Sequence, residues 1–365
     1  MQINNDKKKS LFIKSYGCQM NEYDSERMAE ILEPFNYFPV SEPGKADLII
    51  LNTCHIREKA AEKIYSELGR IKKINLSSKR DTKIAVAGCV GQAQGQEIIN
   101  RAPMVDLVFG PLTYHQLPEM LESIKTEKGL PKKRLVNIDV PDVDKFDELK
   151  EPRKSLKSIS SLLSIQEGCD KFCSFCVVPY TRGVEISRPA NQIMKEAIEL
   201  IESGAKELIL LGQNVNAWSG KGLDESSWTF PRLIRELSQL SIERIRYITS
   251  HPRDMTDELM RSHKDIQKLQ PYLHLPVQSG SDRVLKEMNR GYTFSDYMKI
   301  IDRTREYRPD IAVSGDFIVG FPGETDKDFQ DTLRIVEEVK YAHAYSFKYS
   351  SRPGTPASMM ENHIE

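Results

Sequence analysis

Ser161-Leu-Leu-Ser-Ile-Gln-Glu-Gly-Cys-Asp-Lys-Phe-Cys-Ser-Phe-Cys176 carries an apolar, strand-like run (Ser161–Gln166) directly into a loop with three cysteines spaced C-x3-C-x2-C. With six cysteines in 365 residues, chance would produce this spacing in about two chains per thousand. Three thiols in one loop fall short of the four protein ligands of a structural zinc site, unless a histidine or a distant cysteine completes the set. They suit a [4Fe–4S] cluster with one iron left open to another ligand. Outward from this loop, strand-like runs recur at Glu207–Leu211, Arg244–Thr249, Tyr272–Pro276, Ala312–Val319 and Ala344–Tyr349, with amphipathic stretches between them. Six such units of roughly 35 residues predict an incomplete (β/α)6 barrel, with the cysteine loop after its first strand at the face where barrel sites lie.

The amino-terminal part has a shorter alternation. Strands are expected at Leu11–Tyr16, Asp47–Leu51, Lys83–Ala87 and Val105–Phe109, with helices near Glu22–Phe35, Arg57–Lys73 and Gln92–Arg101. That pattern predicts a doubly wound parallel α/β sheet. Cys18, Cys54 and Cys89 each follow a strand by two or three residues, so a parallel sheet brings all three to one edge, where such folds bind ligands. The plainer reading is three separate buried thiols, each packing as a small hydrophobe. Lys125 to Ser155 carries Pro131, Pro141 and Pro152, many charges and little periodicity, and reads as a linker. The expected division is an amino-terminal domain at 1–124, a linker at 125–154 and the barrel at 155–365.

Composition narrows the function classes. Lys and Arg total 52 against 53 Asp and Glu, a net charge of −1, so any nucleic-acid contact must use a local basic surface. No apolar run approaches the ~18 residues of a membrane span, and the polar Met1–Ser10 is no secretory signal. A cytoplasmic protein with reduced thiols is expected. The seven histidines show no metal spacing, and there is no Gly-x4-Gly-Lys-Ser/Thr loop.

The loop, with Phe175 before its last cysteine, resembles the signature of the radical S-adenosylmethionine (SAM) superfamily. Ser15-Tyr-Gly-Cys-Gln-Met-Asn-Glu-Tyr-Asp24, Leu51-Asn-Thr-Cys-His-Ile-Arg-Glu-Lys-Ala60 and Ala87-Gly-Cys89 resemble the cysteine motifs of the methylthiotransferases within it. Glu167-Gly-Cys-Asp-Lys-Phe-Cys-Ser-Phe-Cys-Val-Val-Pro-Tyr-Thr-Arg-Gly183 and Ser187-Arg-Pro189 are similar to the branch acting on tRNA. The ribosomal-protein branch has Gly-Cys-Pro-Lys-Asn, and the threonylcarbamoyl-adenosine branch Gly-Cys-Lys-Val-Asn, where this chain has Gly17-Cys-Gln-Met-Asn21. The family usually carries a carboxy-terminal RNA-binding β-barrel, and none is expected before Glu365.

The resemblance implies a methylthio group added to C2 of N6-isopentenyladenosine at position 37 of tRNA, with two SAM consumed. It implies two [4Fe–4S] clusters, one on Cys169, Cys173 and Cys176 and one on Cys18, Cys54 and Cys89. It further implies a donor of electrons such as flavodoxin or ferredoxin and a sulfur donor; for the oligomeric state a monomer is the default expectation. SAM contacts are expected at Gly212, Gln213 and Asn214 after the second barrel strand, Gln278 and Ser279 after the fourth, and Gly320 and Glu324 after the fifth. The glycines are equally ordinary turn formers. Arg182 and Arg188 are candidates for phosphate or the SAM carboxylate, or else salt-bridge residues. Leu285–Tyr292 reads as a helix end capped by Gly291. The alternatives are the same chemistry on another adenosine or a ribosomal-protein side chain, and a non-catalytic metal-binding scaffold.

Overall fold

The computed structural model describes residues 8–55, 58–78, 80–125, 133–140, 145–148 and 158–364. The chain divides into two units, Met1–Arg153 with Tyr180–Arg182, and Lys154–Pro179 with Gly183–Glu365. Among the described residues no helix is long and apolar enough to cross a membrane.

The first unit is built on β1 (Lys9–Tyr16), β2 (Tyr37–Pro39), β3 (Leu48–Thr53), β4 (Lys83–Ala87), β5 (Leu107–Phe109) and β6 (Leu135–Asn137). These form one parallel sheet in the order β2-β1-β3-β4-β5-β6. Every residue of β3 is buried, and successive residues feed opposite faces. Leu48 and Ile50 pack with Met28 and Leu32 of α1 (Gln19–Leu32) and Leu117 of α5 (Leu117–Ser123). Ile49 and Leu51 pack with Ile64 and Leu68 of α2 (Glu58–Ser78), Val90 of α3 (Gly88–Gln94) and Ile98 of α4 (Gln96–Arg101). Helices therefore cover both faces, the doubly wound arrangement read from the alternation.

Three local readings change. The helix expected over Gln92–Arg101 starts at Gly88 and breaks at Gly95, whose φ of 44° no continuing helix has. The helix expected from Glu22 starts at Gln19, with Cys18 as its extended N-cap. The stretch read as a linker contains β6, which pairs in register with Leu107–Phe109. Three residues are too short for periodicity to mark them as a strand. Pro131, Pro141, Pro152 and Ser155 lie outside the described residues.

In the second unit β7 (Ser160–Ser164) is followed by a small antiparallel pair, β8 (Gln166–Glu167) and β9 (Ile186–Ser187). That pair brackets the cysteine loop. Next come β10 (Glu207–Leu211), the hairpin β11 (Ser219–Lys221) and β12 (Ser227–Thr229), then β13 (Arg244–Tyr247), β14 (Tyr272–His274), β15 (Ala312–Val319) and β16 (His343–Lys348). The six barrel strands form two parallel runs, β7-β10-β13 and β14-β15-β16. An isolated parallel bridge, Ile245 to Leu269, lies between β13 and the segment leading into β14. Alternate strand residues (Leu163, Leu210, Ile245, Leu273, Val313, Phe317) pack on the surrounding helices through Ile193, Leu233, Leu259, Tyr297 and Ile335. Capping boxes at Thr293 with Asp296 and Thr325 with Asp328 fix where two of those helices begin.

Candidate metal centres

At the first sheet edge, two glycines let three strand ends converge. Gly17 has φ +133°, and a Cβ there would lie 2.2 Å from Cys54 Cβ. Gly88 has φ +83°, and a Cβ there would lie 2.3 Å from Asn52 Oδ1 and 2.9 Å from the Thr53 carbonyl oxygen. No L side chain fits either place. Behind the thiols, Asn21 Nδ2 donates to Asn52 Oδ1 (2.9 Å), and Asn52 Nδ2 donates to the Asn21 carbonyl (2.8 Å) and Ser25 Oγ (2.9 Å). All of these side chains are buried, and the network fixes α1 against the end of β3.

Cys18, Cys54 and Cys89 are thus brought together. The Cys18 thiol donates to Asn21 Oδ1 (3.1 Å). It is pulled down to about 6 by hydrogen bonding with Cys54, then by the Arg182 guanidinium and the Asn21 backbone, against the opposing effect of burial. Burial pushes the Cys89 thiol up. Fully buried Asp24 meets two buried cations, Arg182 at 2.7 Å and Lys145 at 3.7 Å. Two cations on one carboxylate leave a net positive charge near the three sulfurs, which favours thiolates there.

In the second unit, Cys169, Cys173 and Cys176 share one loop. It is turned by Phe172 (φ +49°) and closed by the bond from Cys176 N to the Cys173 carbonyl (2.9 Å). Burial pushes Cys169 up to about 11 and Cys176 up to about 12, so these two thiols stay protonated until a metal displaces the proton. The strap 287–292 holds the loop from the barrel side. Ser174 N and Oγ donate to the Met288 and Glu287 carbonyls (3.0 and 2.8 Å), and Asn289 Nδ2 donates to the Phe172 carbonyl (2.9 Å). The helix before this strap ends with Met288 as cap and Asn289 left-handed at φ 56°, so Asn289, not Gly291, takes the first left-handed position.

Among the described residues no three His, Cys, Asp or Glu side chains converge where one metal ion could sit. In a [4Fe–4S] cluster each thiolate takes a different iron and the sulfurs need not meet at a point. Two separate sets of three thiols, each at a strand end, fit that donor chemistry.

The proposed SAM contacts divide by environment. Gln166, fully buried, organises the turn after β10: its Oε1 accepts from Gln213 N (2.8 Å) and Asn214 N (3.1 Å), and its Nε2 donates to the Gly168 carbonyl (2.9 Å). Gln213 Oε1 in turn accepts from Gly168 N (2.6 Å), which ties Gly212–Asn214 to the cysteine loop. Asn214 Nδ2 donates to Asp254 (2.8 Å), leaving its buried Oδ1 without a hydrogen-bond partner, and Lys171 pairs with Asp254 at 2.7 Å. Gln278 is held left-handed (φ +78°) against β15, its N donating to the Asp316 carbonyl and its carbonyl accepting from Ile318 N. Ser279 differs: it is fully buried, and its hydroxyl meets Thr332 (3.2 Å) and Ser281 N (3.2 Å), a packing role. Glu324 turns one oxygen to Gly320 N and Phe321 N, while its Oε1 is buried without a hydrogen-bond partner. Neither arginine is a surface salt bridge. Arg182 pairs with Asp24, and Arg188 is buried against Glu196 (2.5 Å) and the Ser164 carbonyl (3.2 Å).

One wall escaped the sequence reading. Partners in a parallel register share a face. His274 pairs with Ser314, Asp316 with Tyr345 and Ile318 with Phe347, all on the side away from the helix-packed Val313 and Phe317. On that inner side Ser314 Oγ bonds Tyr272 Oη (2.7 Å) and His274 Nδ1 (2.9 Å), and His274 Nε2 lies 3.5 Å from Asp316. Tyr345 and Phe347 stack beside it with centroids 6.2 Å apart. The His-x-Tyr-x-Phe alternation of residues 343–347 was the available signal.

Residues 10–110 match the uncharacterized protein family UPF0004, and residues 163–336 match the radical SAM superfamily. Over 351 residues the chain is 58% identical to the tRNA-2-methylthio-N(6)-dimethylallyladenosine synthase of Ruegeria pomeroyi, covering 96% of this chain and 78% of that protein. The chain belongs to this synthase family. The counterpart in Ruegeria sp. (strain TM1040) is 57% identical over the same shares. Among solved structures, the radical SAM methyltransferase TsrM of Kitasatospora setae aligns over 96% of this chain and 75% of its own, with a TM-score of 0.68 and 13% identity. The cobalamin-dependent radical SAM enzyme OxsB aligns over 91% and 52%, with a TM-score of 0.60 and 14% identity. At such identities these two establish the fold alone.

Proposed function

We propose that this chain is a radical SAM methylthiotransferase that places a methylthio group on C2 of N6-isopentenyladenosine at position 37 of tRNA. Cys169, Cys173 and Cys176 would hold one [4Fe–4S] cluster and Cys18, Cys54 and Cys89 a second, and two SAM would be used per turnover. The observation that carries the chemistry is the gathering of Cys18, Cys54 and Cys89 at one sheet edge, in a chain whose barrel already has its own three-thiol loop. When bound, the clusters and SAM supply a low-potential electron, a radical that can take the unreactive C2 hydrogen, and the sulfur and methyl group to be transferred.

The protein's part is orientation. Gln166 holds the Gly212–Asn214 turn against the cysteine loop, so that Asn214, Asp254 and Lys171 present a polar floor for the amino and carboxylate groups of SAM. The Oε1 of Glu324, buried without a hydrogen-bond partner, would accept from a ribose hydroxyl. The aromatic pair Tyr345 and Phe347, with the Asp316–His274 couple, offers a flat apolar surface and hydrogen-bonding edges to a base removed from its stack. The other partners are a one-electron donor protein such as flavodoxin or ferredoxin and a source of sulfur, and the setting is the cytoplasm. Mass spectrometry of tRNA nucleosides from a strain lacking the gene tests the reading. The 2-methylthio-isopentenyl nucleoside should vanish, isopentenyladenosine should accumulate, and the gene in trans should reverse both. An unchanged nucleoside profile would remove the assignment.

A further inference from the structure

Arg290 is 5% exposed, and among the described residues three of its four hydrogen bonds run to backbone or to a phenol. Its Nη2 donates to the Pro276 carbonyl (2.7 Å), its Nε donates to Tyr292 Oη (2.9 Å), and its own backbone N donates to the Leu285 carbonyl (2.9 Å). Tyr292 Oη in turn donates to the Val277 carbonyl (2.7 Å), so the phenol is fixed. The fourth bond runs from Nη1 to the sulfur of Cys173, at 3.3 Å. No carboxylate is among these partners. Arg188, another buried arginine of this unit, has Glu196. A guanidinium taken out of water with only neutral acceptors is strongly destabilising, and the sulfur it faces would carry negative charge once that sulfur ligates a metal cluster.

We infer that Arg290 is the built-in counter-ion of the cluster held by Cys169, Cys173 and Cys176, a positioning residue that favours the cluster's reduced state. The inference rests on the assignment of that cluster to these three cysteines. Taking one electron from a low-potential donor makes the cluster more negative by one charge, and no bond to carbon forms or breaks in that step. A fixed positive charge donating a hydrogen bond to a ligating sulfur stabilises the more negative state, and both features are known to set cluster potentials. The strap 287–292 that delivers Arg290 also clasps the loop backbone through Ser174 and Asn289, so the charge and the loop are positioned by one segment.

The test is an EPR-monitored titration, with dithionite and mediator dyes, of the loaded protein with Cys18, Cys54 and Cys89 changed to Ala so that one cluster is observed. Arg290→Met should lower the reduced-to-oxidised ratio at fixed potential about tenfold, ~59 mV for one electron. Arg290→Lys, which keeps the charge, should recover most of the loss. Arg290→Gln, polar and neutral, should behave as the Met variant and replaces it if that variant does not fold. Equal potentials in parent and neutral variants, or a Lys variant as shifted as Met, would overturn the inference while leaving the cluster assignment standing. A parent that binds no iron on the barrel loop would overturn the assignment and the inference together.

Discussion

Replacing Gly17 with Ala puts one methyl group where the first sheet edge has no room. The added Cβ falls 2.2 Å from Cys54 Cβ. Neither segment can retreat, because Cys54 N donates to the Tyr16 carbonyl (2.8 Å) and β1 is paired along its length with β3. The backbone at φ +133° is also one that L residues rarely adopt. Strain at such a position costs about 1–3 kcal/mol and overpacking about 1–3 kcal/mol, so the apo chain should lose roughly 2–6 kcal/mol. Urea denaturation reads that loss. The same variant, reconstituted anaerobically, should bind about four irons rather than eight, because only the barrel loop keeps its geometry. Gly69→Ala is the control: it lies exposed on α2 with open space around its Cβ position, and it should stabilise by up to about 1 kcal/mol. A Gly17→Ala chain with parental stability and full iron would refute the argument that this glycine lets the strand ends meet.

Gln166→Ala leaves Gln213 N, Asn214 N and the Gly168 carbonyl without their partner; at about 1–3 kcal/mol for each buried unsatisfied group, SAM affinity should fall by tenfold or more, read by equilibrium dialysis, with the iron of the first unit unchanged. Arg188→Met should cost about 3–5 kcal/mol in urea denaturation by stranding the buried Glu196, and an effect confined to SAM binding would contradict that structural role. Burial lowers the His263 imidazole to about 4, so above pH 6.5 the folded and unfolded chains both hold it neutral, and below that the unfolded chain takes up the extra proton. Its contribution, about 3 kcal/mol, should be lost as pH falls from 6.5 to 4, and His263→Gln should flatten the apo chain's stability profile across that window by about 1.4 kcal/mol per pH unit.

What the sequence makes legible follows from what repeats. Glu207–Leu211, Lys83–Ala87 and Ala312–Val319 are strands at the bounds their patterns indicate, because long apolar runs between turn residues leave few alternatives. The placement of Cys18, Cys54 and Cys89 after strand ends is enough to infer their meeting, since a parallel sheet aligns its carboxyl ends. Three-residue strands such as β2 and β6 have no periodicity to find. Side-chain partners are harder still: that Ser279 bonds Thr332, that Arg188 meets Glu196 and that Arg290 faces Cys173 depend on elements many residues apart. The inner wall of Asp316, His274 and Tyr345 needed the register of β14, β15 and β16 before its residues could be placed on one face.

Two [4Fe–4S] clusters in one chain, each with three protein thiolates and one open iron, are the central claim, and iron and acid-labile sulfide per chain after anaerobic reconstitution measure it directly. About eight irons are expected for the native chain and about four when Cys18, Cys54 and Cys89 are all changed to Ala, with SAM still cleaved to 5′-deoxyadenosine and no methylthio product formed. A native chain that takes up only four irons, or a triple variant that keeps all eight, would contradict it.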